Sequence, residues 1–398
     1  MMAKKKSTAT KAESATSNAK PNSDPRRNGD RAMIRQPAEM MFADELAALE
    51  AADSFPRPPG WRLSPRAVRT FLLGAEAAPL GDKTPEIFRK FYGDDPLVDR
   101  AIVTLIGNRG LMLIGEPGTA KSMLSELLAA AISGGSELTI QGTAGTTDDQ
   151  IKYSWNYALL LSEGPTRRAL APAPLFFGLS QGRMVRFEEI TRCPAEIQDT
   201  LISVLSEKVL HVPEFEGPEG VIHARPGFNV IATANTRDRG VHEMSAALRR
   251  RFNFETVHPI ADPEFELELV LKQATTLLER CEADATLDRD AVRVLVDAFH
   301  ELRSGRTREG GVIEKPTSVM STAEAVSVVM SAGIDAAHFG DGAVTGEHLG
   351  RQLTGTALKD DEGDIKRLRQ YFDVVVKPRA IKDQHWKAFY AARPGRKE

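Results

Sequence analysis

The chain has 398 residues, of which 41% are hydrophobic and 27% charged, and this composition excludes collagen-like, wholly disordered and disulfide-rich mini-protein classes. Its 52 basic and 55 acidic side chains give a net charge of −3, which does not favour nucleic acid as the main partner. There is no apolar run near the roughly 18 residues of a membrane span, no signal-peptide pattern and no cysteine framework, so we expect a cytoplasmic protein without a membrane span.

The N-terminal region differs in composition from the rest of the chain. Residues 1–35 hold nine basic and three acidic side chains and few large apolar ones. Such a segment predicts a disordered, solubilising tail, with a weak anionic contact as the alternative. Residues 36–54 predict a short amphipathic helix whose apolar side chains are Met40, Phe42, Leu46 and Leu49. Prolines follow at 56, 58 and 59, so the first predicted unit, a tail and linker, covers residues 1–59.

Short apolar runs alternate with helical patterns in the middle of the chain. Predicted strands lie at 111–114, 184–187 and 228–234, and predicted helices lie at 122–132 and 194–206. This alternation predicts a three-layer α/β core with a parallel sheet at residues 60–260. From about residue 262 the patterns are helical, at 265–278, 289–302 and 321–330. They predict an all-helical lid domain and C-terminal extension at residues 261–398.

The stretch after the first predicted strand has the spacing of a P-loop, with alanine in place of the second glycine. The candidate nucleotide-binding residues are Gly115, Glu116, Pro117, Gly118, Thr119, Ala120, Lys121 and Ser122. Backbone N–H groups of such a loop and of the following helix point at phosphate oxygens. We expect Lys121 to reach the β- and γ-phosphates of ATP and the Ser122 hydroxyl to ligate Mg²⁺. The methyl group of Ala120 is expected at a helix entry with negative φ, where it is tolerated.

The second predicted strand ends in two adjacent acids, Glu188 and Glu189, which is the Walker B pattern. The first acid is expected to hold the Mg²⁺ shell and the second to orient the attacking water. Glu188 is one methylene longer than the usual aspartate, so we expect its metal contact to shift or to run through water. Arg186 lies inside the same strand, where an unpaired charge is costly, and is expected to be paired or to lie near the strand end.

The third predicted strand ends at Asn235, a side chain that can hold the attacking water or the γ-phosphate. Three consecutive arginines follow at 249–251. They are either a solvated basic face or the source of an arginine finger, a guanidinium offered to a neighbouring subunit's ATP. We assign the finger to Arg251, with Arg250 as the alternative. The predicted catalytic residues are thus Glu189, Asn235 and Arg251, and the predicted metal ligands are Ser122 and Glu188.

The order of these motifs resembles that of AAA+ ATPases with a P-loop NTPase core, and that of the MoxR family in particular. The resemblance to the MoxR family rests on the alanine before the P-loop lysine and on the segment 170–179 before Walker B. The resemblance covers roughly residues 85–335. It implies a homo-oligomeric ring, a hexamer, that hydrolyses ATP with Mg²⁺ and remodels a protein client together with a von Willebrand factor A-domain protein. It also implies a helix-2 insert around residues 140–152 and a hairpin at 210–225.

The chain departs from the family pattern at Ala120, at Glu188 and at the start of a lid helix. Relatives carry a sensor-2 arginine there, whereas residues 315–322 contain no arginine and one lysine, Lys315. Despite these departures we still expect nucleotide binding, but the rate of hydrolysis is left open. They motivate a second hypothesis, a nucleotide-gated binding module that hydrolyses little and uses ATP as an assembly switch.

A nucleic-acid motor is the third hypothesis, because AAA+ proteins with similar inserts include helicases that grip DNA with the hairpin. The hairpin tip carries Glu214, Glu216 and Glu219, whose charges would repel phosphate. We therefore do not expect nucleic acid as a partner. The sequence shows no base-reading motif, so it does not separate ATP from GTP.

Overall fold

The structure, a computed structural model, describes residues 35–81, 84–236, 242–359 and 361–394. The predicted disordered tail therefore lies, apart from Arg35, outside the described residues. The helices are α1 Ala38–Met41, α2 Ala43–Ala52, α3 Pro65–Leu73, α4 Asp95–Ile106, α5 Lys121–Ser133, α6 Asp148–Ile151, α7 Tyr157–Glu163, α8 Pro174–Gln181, α9 Ala195–Asp199, α10 Leu201–Glu207, α11 Ala246–Arg249, α12 Pro263–Arg280, α13 Arg289–Ser304, α14 Thr322–Phe339, α15 Gly346–Thr356, α16 Glu362–Tyr371, α17 Lys377–Ala380 and α18 Gln384–Ala391. The strands are β1 Gly110–Gly115, β2 Thr139–Gln141, β3 Tyr153–Trp155, β4 Leu170–Pro172, β5 Met184–Glu188, β6 Val209–His211, β7 Val221–His223, β8 Asn229–Asn235, β9 Phe252–Thr256, β10 Thr286–Leu287 and β11 Ala343–Val344.

Five strands form a parallel sheet in the order β2-β5-β8-β1-β9. Because side chains alternate between the two faces of a strand, Leu111 and Leu113 join one apolar cluster while Met112 joins another. The first cluster contains α3, α4 and α5, and the second contains α8 and α10. The sheet is thus covered by helices on both faces, which confirms the predicted three-layer α/β core.

The predicted N-terminal helix is present as α1 and α2, and it packs on the core. Leu46 and Leu49 are fully buried in the same cluster as Phe71, while Met40, predicted on the apolar face, is exposed. Lys90 extends this contact through an ion pair with Glu45 at 2.6 Å. Helices this short are stabilised by tertiary burial rather than by their own propensity. Residues 38–52 thus pack with the core, although the predicted division at residue 59 grouped them with the tail and linker.

Two antiparallel strand pairs lie outside the five-stranded sheet. Strands β3 and β4 enclose α7, and β6 pairs with β7. Tyr153 and Trp155 of the first hairpin donate hydrogen bonds to the Glu214 carboxylate of the second, at 3.0 and 3.3 Å. The hairpin predicted at 210–225 is therefore present as β6 and β7, and it contacts the segment 153–172 that contains β3, α7 and β4. The insert predicted around residues 140–152 contains α6 and lies between β2 and this segment.

The C-terminal region is helical, as predicted, and builds its own apolar cluster from α12 to α18. α14 runs further than expected, to Phe339, and a two-residue parallel pair, β10 with β11, joins the helices. The helix predicted at 194–206 is instead divided into α9 and α10 at Thr200. Among the residues that the structure describes, no helix combines the length and the apolar character needed to cross a bilayer.

Candidate nucleotide-binding site

A cavity of about 380 Å³ lies where the carboxyl ends of β1, β5 and β8 face the C-terminal helices. Ligands of parallel α/β sheets bind at this edge. The core side of the cavity is lined by Tyr92, Pro117, Gly118, Thr119, Ala120, Lys121, Ser122, Met123, Glu189, Thr233, Asn235, His258, Pro259 and Ile260. The helical side is lined by Leu269, Gln273, Arg303, Val319, Ser321, Thr322 and Ala323. The structure thus brings most of the predicted P-loop residues together with Glu189 and Asn235.

The P-loop connects the end of β1 to the start of α5, and its lysine is held inside the loop. The Lys121 ammonium donates hydrogen bonds to the carbonyl oxygens of Gly115 and Glu116 at 3.2 and 2.7 Å. Gly118 has φ +76°, and a Cβ atom there would collide with the Ser321 hydroxyl at the start of α14. The C-terminal helices therefore approach the P-loop so closely that a glycine is needed at this position.

Ala120 adopts a backbone conformation that the sequence analysis did not anticipate. Its φ is +65° and its ψ +21°, in the left-handed region, so the expectation of negative φ was wrong. The residue precedes Lys121 at the start of α5 and occupies the position where P-loops carry their second glycine. A left-handed conformation costs an L-residue with a Cβ atom roughly 1–2 kcal/mol. The P-loop therefore stores backbone strain at this alanine.

We expect Ala120→Gly to raise the free energy of unfolding by about 0.5–1 kcal/mol, because relief of the strain exceeds the added entropy of the unfolded chain. Chemical denaturation of the variant measures this change. Ala48→Gly is the matched control, since Ala48 is an exposed residue inside α2, and it should lower the same free energy by about 1 kcal/mol. A loss of stability in both variants would contradict the strained conformation at Ala120.

The Glu188 carboxylate is the centre of a buried hydrogen-bond network below the P-loop. Its Oε2 accepts hydrogen bonds from the hydroxyls of Ser122 at 2.6 Å and Thr233 at 2.8 Å. Its Oε1 accepts from the Ser125 hydroxyl at 2.6 Å and from the Arg186 guanidinium at 2.8 Å. Burial alone would raise the pKa of Glu188, but these hydrogen bonds and the charge of Arg186 outweigh it and hold that pKa below its ordinary value. Glu188 is therefore ionised, and the expectation that Arg186 is paired is confirmed.

Glu189 lies on the cavity side of this network. Its backbone N–H donates to the Thr233 hydroxyl oxygen at 3.0 Å, so one β8 side chain positions both acids. Its carboxylate forms an ion pair with Arg192 at 2.6 Å and is about one third exposed. Sequence reasoning missed Thr233, although its place two residues before Asn235 puts both side chains on the same face of β8.

The C-terminal helices place an arginine, Arg303, at the cavity, which sequence reasoning missed. Arg303, at the end of α13, lines the cavity and donates to the fully buried Glu266 carboxylate at 2.7 Å and to the Ile260 carbonyl at 3.3 Å. Burial would raise the pKa of Glu266, but hydrogen bonds from His300, Arg303 and Thr322 lower it to about 2. Lys315, considered above as a substitute cation, is exposed and does not line the cavity among the described residues.

Arg251 lies outside the cavity. Its guanidinium donates to the Ser206 hydroxyl at 2.8 Å and to the Ala247 carbonyl at 2.8 Å. Arg250, the alternative, is exposed. The structure therefore separates the predicted finger from the other predicted catalytic residues of the same chain.

The oxygen atoms below the P-loop fit Mg²⁺, which prefers hard oxygen ligands and usually shares its shell with substrate phosphates. The Ser122 hydroxyl and the Glu188 carboxylate lie within hydrogen-bond distance of each other, so one ion could be held beside both. In the described part of the chain, no group of three or more histidines, cysteines, aspartates or glutamates is arranged to hold a metal ion alone. Phosphate oxygens and water would complete the shell.

Comparison with protein families gives two matches that lie one after the other along the chain. Residues 110–252 match the AAA domain of the dynein-related subfamily. Residues 264–395 match the C-terminal domain of YehL-like AAA+ ATPases. The first match contains the P-loop, both acids, Asn235 and Arg251, and the second contains the helices that close the cavity.

Individual relatives agree with these matches. The uncharacterized protein YehL of Escherichia coli K12 is 50% identical over 359 residues, which cover 90% of this chain and 96% of YehL. The chaperone MoxR1 of Mycobacterium tuberculosis H37Rv is 30% identical over 206 residues, about half of each chain. A crystal structure of NtrX from Brucella abortus with ADP covers 76% of this chain and 64% of its own at 14% identity and a TM-score of 0.46, a likeness too distant to carry functional meaning.

The similarity to YehL over 90% of this chain and the two consecutive family matches agree with the P-loop geometry, and the predicted AAA+ assignment is confirmed. The expected resemblance to MoxR proteins is present over about half of the chain. This chain belongs to the YehL-like family of AAA+ ATPases.

Proposed function

We propose that this protein is a Mg²⁺-dependent motor that binds and hydrolyses ATP, assembles as a homo-oligomeric ring, a hexamer, and remodels a protein client. The observation that carries the proposal is the cavity in which the P-loop, Glu189 and Asn235 meet the C-terminal helices. A nucleotide bound there would contact both parts of the chain. Its hydrolysis could therefore change their relative position, as a mechanical step requires.

Each residue has a proposed role that follows from its position. Backbone N–H groups of the loop 115–120, except at Pro117, which has none, and the Lys121 ammonium would hold the phosphates. Glu189 and Asn235 would orient the attacking water, with Glu189 accepting its proton. Ser122 and Glu188 would hold Mg²⁺, which when bound neutralises phosphate charge. We also propose that the ATPase core ends and the lid begins near residue 261, between the two family matches.

A second candidate function, the nucleotide-gated module with little hydrolysis, is favoured by two contacts. Glu189 is held by Arg192, and Arg303, the arginine that the C-terminal helices place in the cavity, is held by Glu266. Both groups would have to leave these partners to act on a nucleotide. Turnover of the assembled protein separates the two functions, since the module would bind ATP tightly and release phosphate very slowly.

The protein client is proposed from the family resemblance and from an exposed helix. Helix α7 buries none of its residues, and its Tyr157 and Leu161 side chains are 67% and 89% exposed. The segment 153–172 that contains α7 is hydrogen-bonded to the neighbouring hairpin through Glu214, which fixes the strand before this exposed helix. We propose a von Willebrand factor A-domain protein as the partner that works with this chain, on the basis of the family resemblance. We propose a cytoplasmic location on the basis of the composition. We do not propose nucleic acid as a partner.

Replacement of Lys121 tests nucleotide binding directly. We expect Lys121→Ala to weaken ATP binding by about 100-fold or more, because charge-assisted hydrogen bonds to two phosphates are lost. Titration with a fluorescent ATP analogue measures the affinity. Lys152→Ala is the control, because Lys152 makes a partly exposed ion pair with Asp148 away from the cavity and its removal should leave the affinity unchanged. Unchanged affinity in Lys121→Ala would contradict the assignment of the phosphate site.

A further inference from the structure

A fully satisfied arginine lies inside the Walker B strand. Arg186 is 8% exposed. Its Nε donates to Ser125, its Nη1 to Ser136 and Thr139, and its Nη2 to Ser122 and Glu188, with distances between 2.8 and 3.3 Å. Because side chains of β5 alternate in direction, Arg186 and Glu188 point to the same face, below α5. All five N–H donors of the guanidinium are thereby used, and the two on Nη2 contact the two residues proposed as metal ligands, at the Ser122 carbonyl oxygen and the Glu188 carboxylate.

The Glu188 carboxylate is therefore already paired with Arg186 before any cation binds beside it. Its Oε1 is shared by Ser125 and Arg186, and its Oε2 accepts from Ser122 and Thr233. A cation beside Ser122 would share this carboxylate with the guanidinium and would also be repelled by it. Both effects lower the affinity of the site for a divalent ion, because ion affinity follows the charge of the ligands.

Stability alone does not account for this pair. A buried ion pair contributes little compared with apolar side chains of similar volume, since desolvation offsets the attraction. Apolar side chains at both positions 186 and 188 would extend the apolar pattern of β5, which already includes Met184, Val185 and Phe187. The guanidinium is instead placed where its charge acts on Glu188 and, through the Ser122 carbonyl, on the first turn of α5.

We infer that Arg186 is a positioning residue that sets the Mg²⁺ requirement of the nucleotide site: it neutralises Glu188 and so weakens the hold of the Ser122–Glu188 pair on Mg²⁺. This inference rests on the proposed nucleotide-binding function. With the Ser122–Glu188 pair weakened in this way, the hold on Mg²⁺ would depend mainly on the phosphates of the nucleotide. Removing the guanidinium charge should make the protein retain Mg²⁺ more strongly.

The test titrates Mg²⁺ against Arg186→Met and the unmodified protein while the binding of a fluorescent ADP analogue is measured. We expect the Mg²⁺ concentration at half-maximal binding to fall about tenfold in the variant, because the repelling charge lies in contact with the shared carboxylate. Thermal melting gives a second readout. Arg186→Met should melt lower than the unmodified protein without Mg²⁺, and Mg²⁺ with ADP should raise its melting temperature by the larger amount.

Three variants separate charge from packing. Arg186→Lys keeps the positive charge and should return the Mg²⁺ midpoint towards that of the unmodified protein. Arg186→Gln keeps amide donors without the charge, should lower the midpoint, and replaces Arg186→Met if that variant does not fold. Arg183→Met removes an arginine just before β5 that pairs with Glu137 instead, and should leave the midpoint unchanged.

An unchanged or raised midpoint in the uncharged variants would overturn the inference, as would an equal fall in Arg186→Lys. If the unmodified protein binds no nucleotide at any Mg²⁺ concentration, the proposed function itself fails. If the unmodified protein binds nucleotide normally but the Mg²⁺ midpoint is the same in every variant, the inference about Arg186 fails and the proposed function stands.

Discussion

Glu189→Gln is expected to bind ATP with nearly unchanged affinity and to lose its turnover by about 10²–10⁴-fold, the contribution of a positioned general base. Glu189 lines the cavity beside the P-loop, whereas Glu188 is 4% exposed and lies beneath Ser122. An amide keeps the size of the side chain but cannot accept the proton of the attacking water. Single-turnover phosphate release, measured beside binding of a fluorescent ATP analogue, separates the two effects.

Glu188→Gln is the matched control for this experiment, because it makes the same chemical change one residue earlier. Glu188→Gln should weaken the Mg²⁺ dependence of nucleotide binding, since the lost charge belongs to a proposed metal ligand. If Glu188→Gln stops turnover while Glu189→Gln is harmless, the assignment of the two acids must be shifted by one residue.

The Glu189→Gln protein also offers a way to identify the client. A motor that binds ATP without hydrolysing it should remain in the state that holds its client. A pull-down with this variant and ATP, compared with Lys121→Ala under the same conditions, should enrich proteins that depend on bound nucleotide. Proteins recovered equally with both variants would not be clients of the ATP-bound state.

The arrangement of the cavity could be predicted from sequence to the extent that it follows from strand order. Gly115, Glu188 and Asn235 each end a strand, and parallel strands bring their carboxyl ends to one edge of the sheet. The pairing of Gly115 with Asn235 across β1 and β8 shows how directly the strand ends meet. Local patterns were sufficient here because each motif is adjacent to a strand end.

Other features depend on contacts between distant parts of the chain. The Arg186 network joins β5 to residues 122–139, so the sequence showed a buried charge but not its partners. The Arg303 guanidinium is held at the cavity by Glu266 of α12 and by the carbonyl oxygens of Ile260 and Met320, which are distant from it along the chain. The left-handed conformation of Ala120 could have been anticipated, since it occupies a position where P-loops carry glycine.

The proposed arginine finger has a position that suits action on a neighbouring subunit. Arg251 lies directly before β9, the strand at one edge of the five-stranded sheet. Its contacts with Ser206 and the Ala247 carbonyl hold the guanidinium in a defined orientation, and the residue is absent from the described lining of its own cavity. A guanidinium so placed can act on ATP only if a second copy brings its cavity to this edge.

Arg251→Ala should therefore bind ATP nearly normally and turn it over far more slowly, because a finger acts on the transition state more than on the ground state. In GTPases the corresponding guanidinium changes the rate by about 10³–10⁵-fold.

The defect should also be complemented in trans. Lys121→Ala keeps its finger but lacks a working site, while Arg251→Ala keeps a site but lacks a finger. Mixing these two inactive proteins should restore part of the ATPase activity wherever an intact finger meets an intact site. Absence of recovery in mixtures shown to co-assemble would count against Arg251, and recovery with Arg250→Ala in its place would move the finger by one residue.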